Sequence, residues 1–516
     1  MKNWIVKHYS KISFLVIFIT LLVGRLSIQG VGYLEDGDEI PFLKLLEFYD
    51  RLIVFDPSKW NFLVINMLTN YIEVSIRLVE TFFLKLYANW LSIPESSPQA
   101  LIIMGLFNVI VSMLISYVFY KILLRLDFKT SDALLGVFLA GTLLNTNLYT
   151  RHILPYETSL LFHLISIYIV LAPKITYKKI FFAGFFCALG YFNYYGNFVL
   201  LFVAWALLML VDGGSFKRKI LSTFLLSLPC FLLLFFLEWV SSLTQQSYMD
   251  FLIFFSKTVY HGSTEEGLVY IFRYFSLVEG YWGVFLLVIS FGAIFYSVFY
   301  KNVISIPAKR LFQIAVFFYI VYGLQAVLTG GMVFYGRVLH LYYPFLIIGV
   351  LLIINVYPKT RRFFLVGAFV NFLFVINNLN SISYPRTIKY EKGLFELNDN
   401  IEYKYEIRPI IVYDENESYV DTSIVWPIIK MQKIKPNETH KGQLLLLNFC
   451  FFYNYPDDIV LNSYQKYKPN GNVQLLYSGS HFMSHPAYTF EYYTKYGRDF
   501  FIEKKFKVEV FKKINN

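Results

Sequence analysis

Charged residues are scarce in this sequence: they make up 16% of its 516 residues, against roughly 25% in an ordinary soluble chain. This shortage argues against a disordered chain and against a string of soluble domains. Cysteine is also scarce, with three residues in all. Cys450 stands alone in the C-terminal part, which excludes a disulfide within that part and a metal cluster built from cysteine. The sequence has no Walker-type glycine loop for ATP.

The apolar residues, 57% of the chain, fall in blocks long enough to cross a bilayer. A hydrocarbon core of about 30 Å needs roughly 20 apolar residues in an α-helix. Eleven spans are predicted, at 12–30, 101–120, 133–149, 154–172, 180–193, 197–211, 220–240, 281–300, 311–329, 338–356 and 363–380. The sequence therefore predicts an α-helical polytopic membrane protein, with residues 1–380 as its transmembrane domain.

Basic residues alternate between the gaps that separate these spans. The N-terminus and every second gap carry three Lys or Arg residues each, as in Lys217-Arg218-Lys219, whereas the short gaps near 151, 195 and 335 carry one or none. Cytoplasmic loops are the ones enriched in Lys and Arg, so the N-terminus is predicted inside and the C-terminus outside. The net charge of +11 thus indicates a membrane surface, rather than nucleic acid, as the partner.

The first span begins with basic residues, as a signal peptide does, but no small-x-small cleavage site follows it. We therefore expect an uncleaved anchor. Arg25, near its outer end, is expected to snorkel to the outer interface.

The first outer loop, 31–99, contains a predicted interfacial helix over 61–91. Glu73, Arg77 and Glu80 are spaced by four and three residues, so they share one helical face. We expect this helix to lie flat on the outer membrane surface. The alternative is a twelfth span with a buried ion pair.

The composition changes in the tail, 381–516. Short apolar runs at 408–413, 443–448 and 505–510 predict strands. The tail is long enough to bury a core of its own, and it is predicted to be a soluble, extracytoplasmic, mixed α/β domain.

Three groups of polar residues stand at the outer ends of predicted spans: Asp36, Asp38 and Glu39; Arg151, His152, Tyr156 and Glu157; and Arg337 with His340. Carboxylates can act as a base or hold a metal, while Arg and His can meet an anionic headgroup. Simpler interpretations exist for each group, namely a hydrated loop start, a local Arg151–Glu157 pair, and arginine snorkelling. Together the groups offer a base and cations, which transfer from a lipid phosphate requires.

This layout resembles the GT-C superfamily of polytopic glycosyltransferases, close to the protein O-mannosyltransferase and aminoarabinose transferase branch. The resemblance is carried by Asp38-Glu39 in the first outer loop, Arg151 and Tyr156 after the third span, and the stretch from Arg337 to Pro344. The family's interfacial helices and its soluble outer domain correspond to 61–91 and to the tail.

The resemblance implies a polyprenyl-phosphate-linked sugar as donor, a lipid, glycan or protein as acceptor, and an inverting displacement. Asp38 is expected as the base, with Asp36 as its substitute, and Glu39 would orient the acceptor or a divalent metal, the one cofactor that the resemblance leaves open. The remaining expected roles are binding of the donor phosphate by Arg151, His152, Arg337 and His340, and lining of the cavity by Tyr156 and Glu157.

A transporter, or a flippase for lipid or polysaccharide, is the main alternative, and a non-catalytic assembly or receptor protein is a third. Polar groups gathered at the outer interface favour the enzyme, whereas polar groups that cross the midplane favour the transporter. Richness in Phe, Ile, Lys and Asn indicates an AT-rich, bacterial genome. We therefore expect an inner (plasma) membrane location with an extracytoplasmic active site.

Overall fold

The computed structural model describes residues 2–28, 71–92, 98–151, 155–243, 247–259, 272, 275–299, 305–329 and 339–382, and short strand segments between 404 and 514. These residues fall into two compact units. The first contains the described residues of 2–28, 71–81 and 105–377, and the second contains those of 82–104 and 378–514.

The α-helices of the described residues are, in chain order, α1 (Lys2–Ser27), α2 (Tyr71–Leu91), α3 (Pro98–Arg125), α4 (Thr130–Gly141), α5 (Leu144–Leu148), α6 (Tyr156–Val170), α7 (Tyr177–Asn193), α8 (Phe198–Val211), α9 (Phe216–Ser242), α10 (Tyr248–Val259), α11 (Gly280–Phe299), α12 (Ile306–Thr329), α13 (Tyr343–Val356) and α14 (Arg361–Ile382). Single 3-10 turns stand at Tyr149–Arg151, Tyr195–Asn197, His340–Tyr342 and Pro358–Thr360, and a π-helix at Phe275–Glu279 leads into α11.

Within the described residues, five helical segments are long and apolar enough to cross a membrane: Ser10–Ser27, Ile102–Arg125, Phe216–Ser242, Gly280–Ser297 and Pro358–Asn377. Their outward side chains are apolar, as Phe235 on α9 shows with 69% of its surface exposed. A contiguous exposed apolar surface of this kind fits lipid rather than water. The protein therefore has the character of an α-helical membrane protein.

Several of the other predicted spans coincide with helices that are shorter than a bilayer is thick. These are Thr130–Gly141, Tyr156–Val170, Tyr195–Val211 and Tyr343–Val356. At 1.5 Å per residue they reach about 18 to 26 Å. The shortest results from a break in the predicted span 133–149, because α4 ends at Gly141 and α5 begins at Leu144.

Helix α13 lies at the centre of the first unit. Its side chains are buried almost all the way round, from Tyr343 to Leu352 without interruption, and it packs along α11 and α12. A helix that is apolar on every side belongs in the core of a large protein or in a membrane.

The face of α2 that carries Glu73, Arg77 and Glu80 points inward. All three side chains are buried and paired with one another, whereas Val79 on the opposite side is 60% exposed. The prediction that the three residues share a face is confirmed. The ion pair is nevertheless buried, as in the alternative interpretation, and both acids pair with Arg77 of the same helix. Helix α2 itself is not among the five membrane-spanning candidates.

Several loops with basic residues meet at one end of the first unit, which we call the basic end and define by Arg125, Asp132, Arg218 and Arg361. Arg361 Nε lies 2.6 Å from Asp132 Oδ1, and Arg218 Nε lies 2.8 Å from Asp212 Oδ1. Arg125 donates to the backbone oxygen of Tyr168. The ends of α3 and α6 and the starts of α4, α9 and α14 therefore lie at the same end.

The strands belong to the second unit and are β1 (Lys404–Ile407), β2 (Ile411–Tyr413), β3 (Asn416–Ser418), β4 (Met431–Lys433), β5 (Leu444–Asn448), β6 (Val473–Phe482) and β7 (Lys505–Lys513). A five-stranded sheet has the order β4-β1-β5-β7-β6, and β2 pairs with β3. Strand β1 is parallel to β4 and β5, while β7 is antiparallel to β5 and β6. The three predicted strand runs coincide with β2, β5 and β7.

Helices α7 and α9 approach so closely at Gly184 that a side chain there has no room. A Cβ atom on Gly184 would collide with the backbone carbonyl of Leu226, which cannot rotate away as a side chain can. We expect Gly184→Ala to lower the free energy of unfolding by about 1–3 kcal/mol through overpacking, measured as a fall in the thermal midpoint of the purified protein.

Gly292→Ala on α11 is the matched control, because a Cβ atom there meets nothing within 4 Å. It should leave stability unchanged or raise it by up to about 1 kcal/mol. Equal destabilisation by both substitutions would contradict the close α7–α9 contact.

Candidate functional site

A small cavity lies inside the first unit, between α1, α3, α4, α5, α6 and α13. Its volume is about 30 Å³, counted as the space open to the centre of a water molecule, which is room for about two waters. Its polar lining consists of Arg25, Ser112, Ser116, Thr146, Glu157 and Tyr343. The cavity therefore combines one cation, one carboxylate and several hydroxyl groups in an otherwise apolar bundle.

Arg25 is buried in this cavity and does not reach the membrane surface. It exposes 1% of its area, and its Nη1 donates to Ser116 Oγ at 3.1 Å and contacts Met113 Sδ at 3.2 Å. Its Nε has no hydrogen-bond partner among the described residues. The expectation that Arg25 snorkels to the outer interface is therefore wrong, because α3 and α6 supply polar partners inside the bundle.

Glu157 is the electrostatic partner of Arg25. It exposes 6% of its area and lies in the first turn of α6. A carboxylate is stabilised at a helix N-terminus by the helix dipole, so this position lowers the cost of burying it. A Cβ atom on Gly141 would lie 2.7 Å from Leu21 Cδ2, so this glycine lets α1 pack closely on α4 beside Arg25.

A second buried carboxylate, Glu279 in the π-helix, supports one wall of the cavity. It accepts hydrogen bonds from the backbone N–H groups of Leu144 and Asn145 at 2.7 and 2.9 Å, and from Tyr343 Oη at 2.7 Å. Burial raises the pKa of this carboxyl, and the three donors partly oppose the rise. Glu279 thus caps the first turn of α5, which explains the break after α4, and fixes Tyr343 at the cavity.

The cavity lies about halfway along the bundle from the basic end. At 1.5 Å per residue, Ser116 is about 14 Å along α3 from Arg125, and Glu157 is about 17 Å along α6 from Tyr168. Asn371, whose amide donates to the Thr142 backbone oxygen at 2.8 Å, is about 15 Å along α14 from Arg361. If the basic end marks one headgroup layer, the cavity is near the middle of a hydrocarbon core of about 30 Å.

The predicted site residues are only partly covered by the structure. Asp36, Asp38, Glu39, His152 and Arg337 lie outside the described residues. For Arg151 and His340 the backbone is described, each in a 3-10 turn, and the side chains are not.

Of the remaining two predicted residues, Glu157 lines the cavity. Tyr156 is not among the lining residues of that cavity. Its ring packs against two other tyrosine rings, and its centroid lies 5.5 Å from that of Tyr149 and 4.6 Å from that of Tyr194.

Sequence reasoning missed Arg25, Glu279 and Tyr343 as parts of a site. The available signal was a charge inside or directly beside an apolar span, which is costly and by default functional. Arg25 was interpreted as an interfacial residue instead, and Glu279 stands two positions before the predicted span 281–300. For metals, no group of three or more His, Cys, Asp or Glu side chains comes together within the described ranges.

No protein-family model matches this chain, and no curated protein sequence matches it. The chemistry of the site therefore has to be argued from its residues. A buried Arg beside a Glu can bind a group that carries both a donor and an acceptor, or can exchange one charged partner for a ligand of the same sign.

Replacing Glu279 tests its support of the cavity wall. We expect Glu279→Ala to lower the free energy of unfolding by about 3 kcal/mol or more, because two buried N–H groups and one hydroxyl lose their acceptor at about 1–3 kcal/mol each. Tyr343→Phe removes a single donor and should cost about 1 kcal/mol. Chemical denaturation in detergent measures both, and an equal cost for the two variants would speak against the capping role.

The Arg25–Glu157 pair can be tested by a double-mutant cycle. Arg25→Met leaves a buried carboxylate without its cation, so we expect a cost of about 3–5 kcal/mol. Combining it with Glu157→Gln should restore about 1–3 kcal/mol of that loss. Strictly additive effects in thermal unfolding would show that the two side chains do not interact.

Proposed function

We propose that the protein is a membrane glycosyltransferase that transfers a sugar from a polyprenyl-phosphate-linked donor to an acceptor on the extracytoplasmic side. In this proposal the chain crosses the membrane about eleven times, with the N-terminus inside and the C-terminus outside. The tail then forms an extracytoplasmic domain that recognises the acceptor. The bacterial inner membrane is the proposed location.

The observation that carries the proposal is the buried Arg25–Glu157 cavity. It lies where the end of α1 meets the starts of α6 and α13. In the sequence, the residues predicted to bind and react with the substrate closely follow α1 or closely precede α6 and α13. A low-dielectric pocket with fixed charges is the setting in which transition-state charge is stabilised most strongly. The cavity has room for about two waters, so the proposal requires it to widen when a sugar enters.

In the proposed reaction, Asp38 removes the proton from an acceptor hydroxyl, and Asp36 is the substitute base. The acceptor oxygen attacks the anomeric carbon, and the bond from that carbon to the phosphate oxygen breaks with inversion. Arg151, Arg337 and His340 stabilise the negative charge of the departing polyprenyl phosphate. Glu39 orients the acceptor or a divalent metal.

One observation favours a second function, transport or flipping of a lipid or polysaccharide. The Arg25–Glu157 cavity is near mid-depth when the basic end marks a headgroup layer, and transporters bind their substrates near the midplane. A lipid phosphate, in contrast, belongs at headgroup depth. The two candidates therefore differ in what the purified protein does with a lipid-linked sugar.

The test uses the full-length protein in proteoliposomes with a labelled polyprenyl-phosphate sugar and a membrane extract as the source of acceptor. The glycosyltransferase releases polyprenyl phosphate and forms a labelled product, and Asp38→Asn lowers this rate by about 10²-fold or more, as expected when a general base is lost. Lys178→Gln, at the predicted cytoplasmic side, is the control and keeps full activity.

Full activity in both Asp38→Asn and Asp36→Asn would remove the catalytic claim. Movement of intact labelled lipid between leaflets without product formation would contradict the glycosyltransferase and support the flippase. Donor cleavage that needs neither aspartate nor the Arg25–Glu157 pair would contradict both the mechanism and the site.

A further inference from the structure

A buried cluster of two carboxyls and one guanidinium lies on α2, separate from the residues that line the Arg25–Glu157 cavity. Glu73, Arg77 and Glu80 expose 0%, 1% and 2% of their areas. Arg77 Nε donates to Glu73 Oε1 at 2.7 Å, and Arg77 Nη1 donates to Glu80 Oε2 at 3.0 Å. If both acids were ionised, these three side chains would bury a net negative charge, which is strongly unfavourable away from water.

The two acids are not equivalent. Glu73 accepts three hydrogen bonds. Its Oε1 accepts one from Arg77 Nε at 2.7 Å and one from Thr158 Oγ1 at 3.3 Å, and its Oε2 accepts one from Asn193 Nδ2 at 3.0 Å. Several donors on one carboxylate favour its ionised form. Glu73 is therefore the acid that stays charged and balances Arg77.

Glu80 has a much poorer set of donors. Its Oε2 accepts one bond, from Arg77, and its buried Oε1 has no hydrogen-bond partner among the described residues. An ionised carboxylate with one bare, buried oxygen is the less stable choice. A proton on Glu80 Oε1 therefore neutralises the cluster at the lowest cost in free energy.

We propose that the Glu73–Arg77–Glu80 cluster is a proton-binding site that holds one exchangeable proton at neutral pH, carried by Glu80 Oε1. The ligand is H⁺ itself. The O–H bond forms when the proton arrives from water and breaks when it returns to water, and no other bond changes. Nothing in this site depends on the transfer reaction proposed above.

The surroundings of the cluster agree with this assignment. Among the described residues, the cluster has hydrogen bonds with Asn108 on α3, Thr158 on α6 and Asn193 on α7. These three side chains do not titrate, and the Arg77 guanidinium lies 5.2 Å from the centroid of the Phe107 ring. Burial raises the pKa of the Glu80 carboxyl to about 8, against the attraction of Arg77 and with the repulsion of Glu73. The hydrogen-bond geometry and the raised pKa therefore both identify the Glu80 carboxyl as the group that holds the proton.

The direction of the pH effect follows from that raised pKa. A carboxyl that is easier to protonate in the folded chain stabilises the fold at low pH. Its contribution is present below the ordinary value of 4.5 and is lost as the pH rises through about 8. Wild-type stability should therefore fall as the pH rises from 4.5 to about 8, where the folded chain keeps a proton that the unfolded chain has lost, and it should level off above about 8.

The experiment compares the full-length wild type with Glu80→Gln and Glu73→Gln in lipid nanodiscs. Infrared difference spectra between about pH 6 and about pH 9, around the raised pKa of Glu80, should show a buried protonated carboxyl in the wild type that Glu80→Gln lacks. A band from Glu279, whose pKa is also raised by burial, is common to both proteins. The thermal midpoint of Glu80→Gln should stay within about 3 °C of the wild type near neutral pH and lose the wild-type pH dependence. Glu73→Gln should be several degrees less stable, since three donors lose their charged acceptor.

Three outcomes would overturn the proposal. The wild type shows no carboxyl band that Glu80→Gln lacks, or Glu80→Gln keeps the wild-type pH dependence of stability, or Glu80→Gln is less stable than Glu73→Gln. Failure of Glu80→Gln to fold counts with the third outcome, because an amide is the neutral, equally sized replacement for a protonated glutamate and must be accepted at this position.

Discussion

The first unit depends on finding partners for charges that are buried away from water. An isolated ion in a low-dielectric interior costs many kcal/mol, so each one needs donors or acceptors that are already in place. Arg25 obtains them from α3 and α6, and Glu279 from α5 and α13. These contacts join helices that are far apart in the chain, which makes the polar groups part of what sets the helix arrangement.

The same requirement explains where the helices break. Glu279 accepts hydrogen bonds from the first two N–H groups of α5, and those groups can donate to it because α4 has ended at Gly141. The short α4 and the short α6 and α13 then leave their ends deep in the bundle, where Arg25 and Glu157 meet. A cavity with charged side chains inside the bundle is thus a consequence of short helices with long-range caps.

Features of the fold that are set within one helix could be predicted from the sequence, whereas features set by contacts between distant parts of the chain could not. The apolar blocks gave the helices, and the four-and-three spacing gave the shared face of Glu73, Arg77 and Glu80, since both are set by the period of one helix. The direction of that face was not predictable, because a paired ion face can be solvated or buried according to what packs on it. The break in 133–149 was equally hidden, since its cause lies at Glu279, more than a hundred residues along the chain.

The depth of the cavity bears on how the two candidate functions should be weighed. If the basic end marks one headgroup layer, a headgroup phosphate that meets Arg25 must either leave its layer or approach through a hydrated path, because about half the hydrocarbon thickness separates the two. The sugar of the donor is attached on the water side of that phosphate. To reach the cavity it has to turn inward, which buries hydroxyl groups that Arg25 and Glu157 can match but buries no charge. In the proposed enzyme, Arg25 and Glu157 would therefore contact the sugar of the donor, and the phosphate would be bound by Arg151, Arg337 and His340. Such a division of roles keeps the enzyme compatible with a cavity at mid-depth, whereas phosphate binding by Arg25 itself favours movement of the lipid through the bundle.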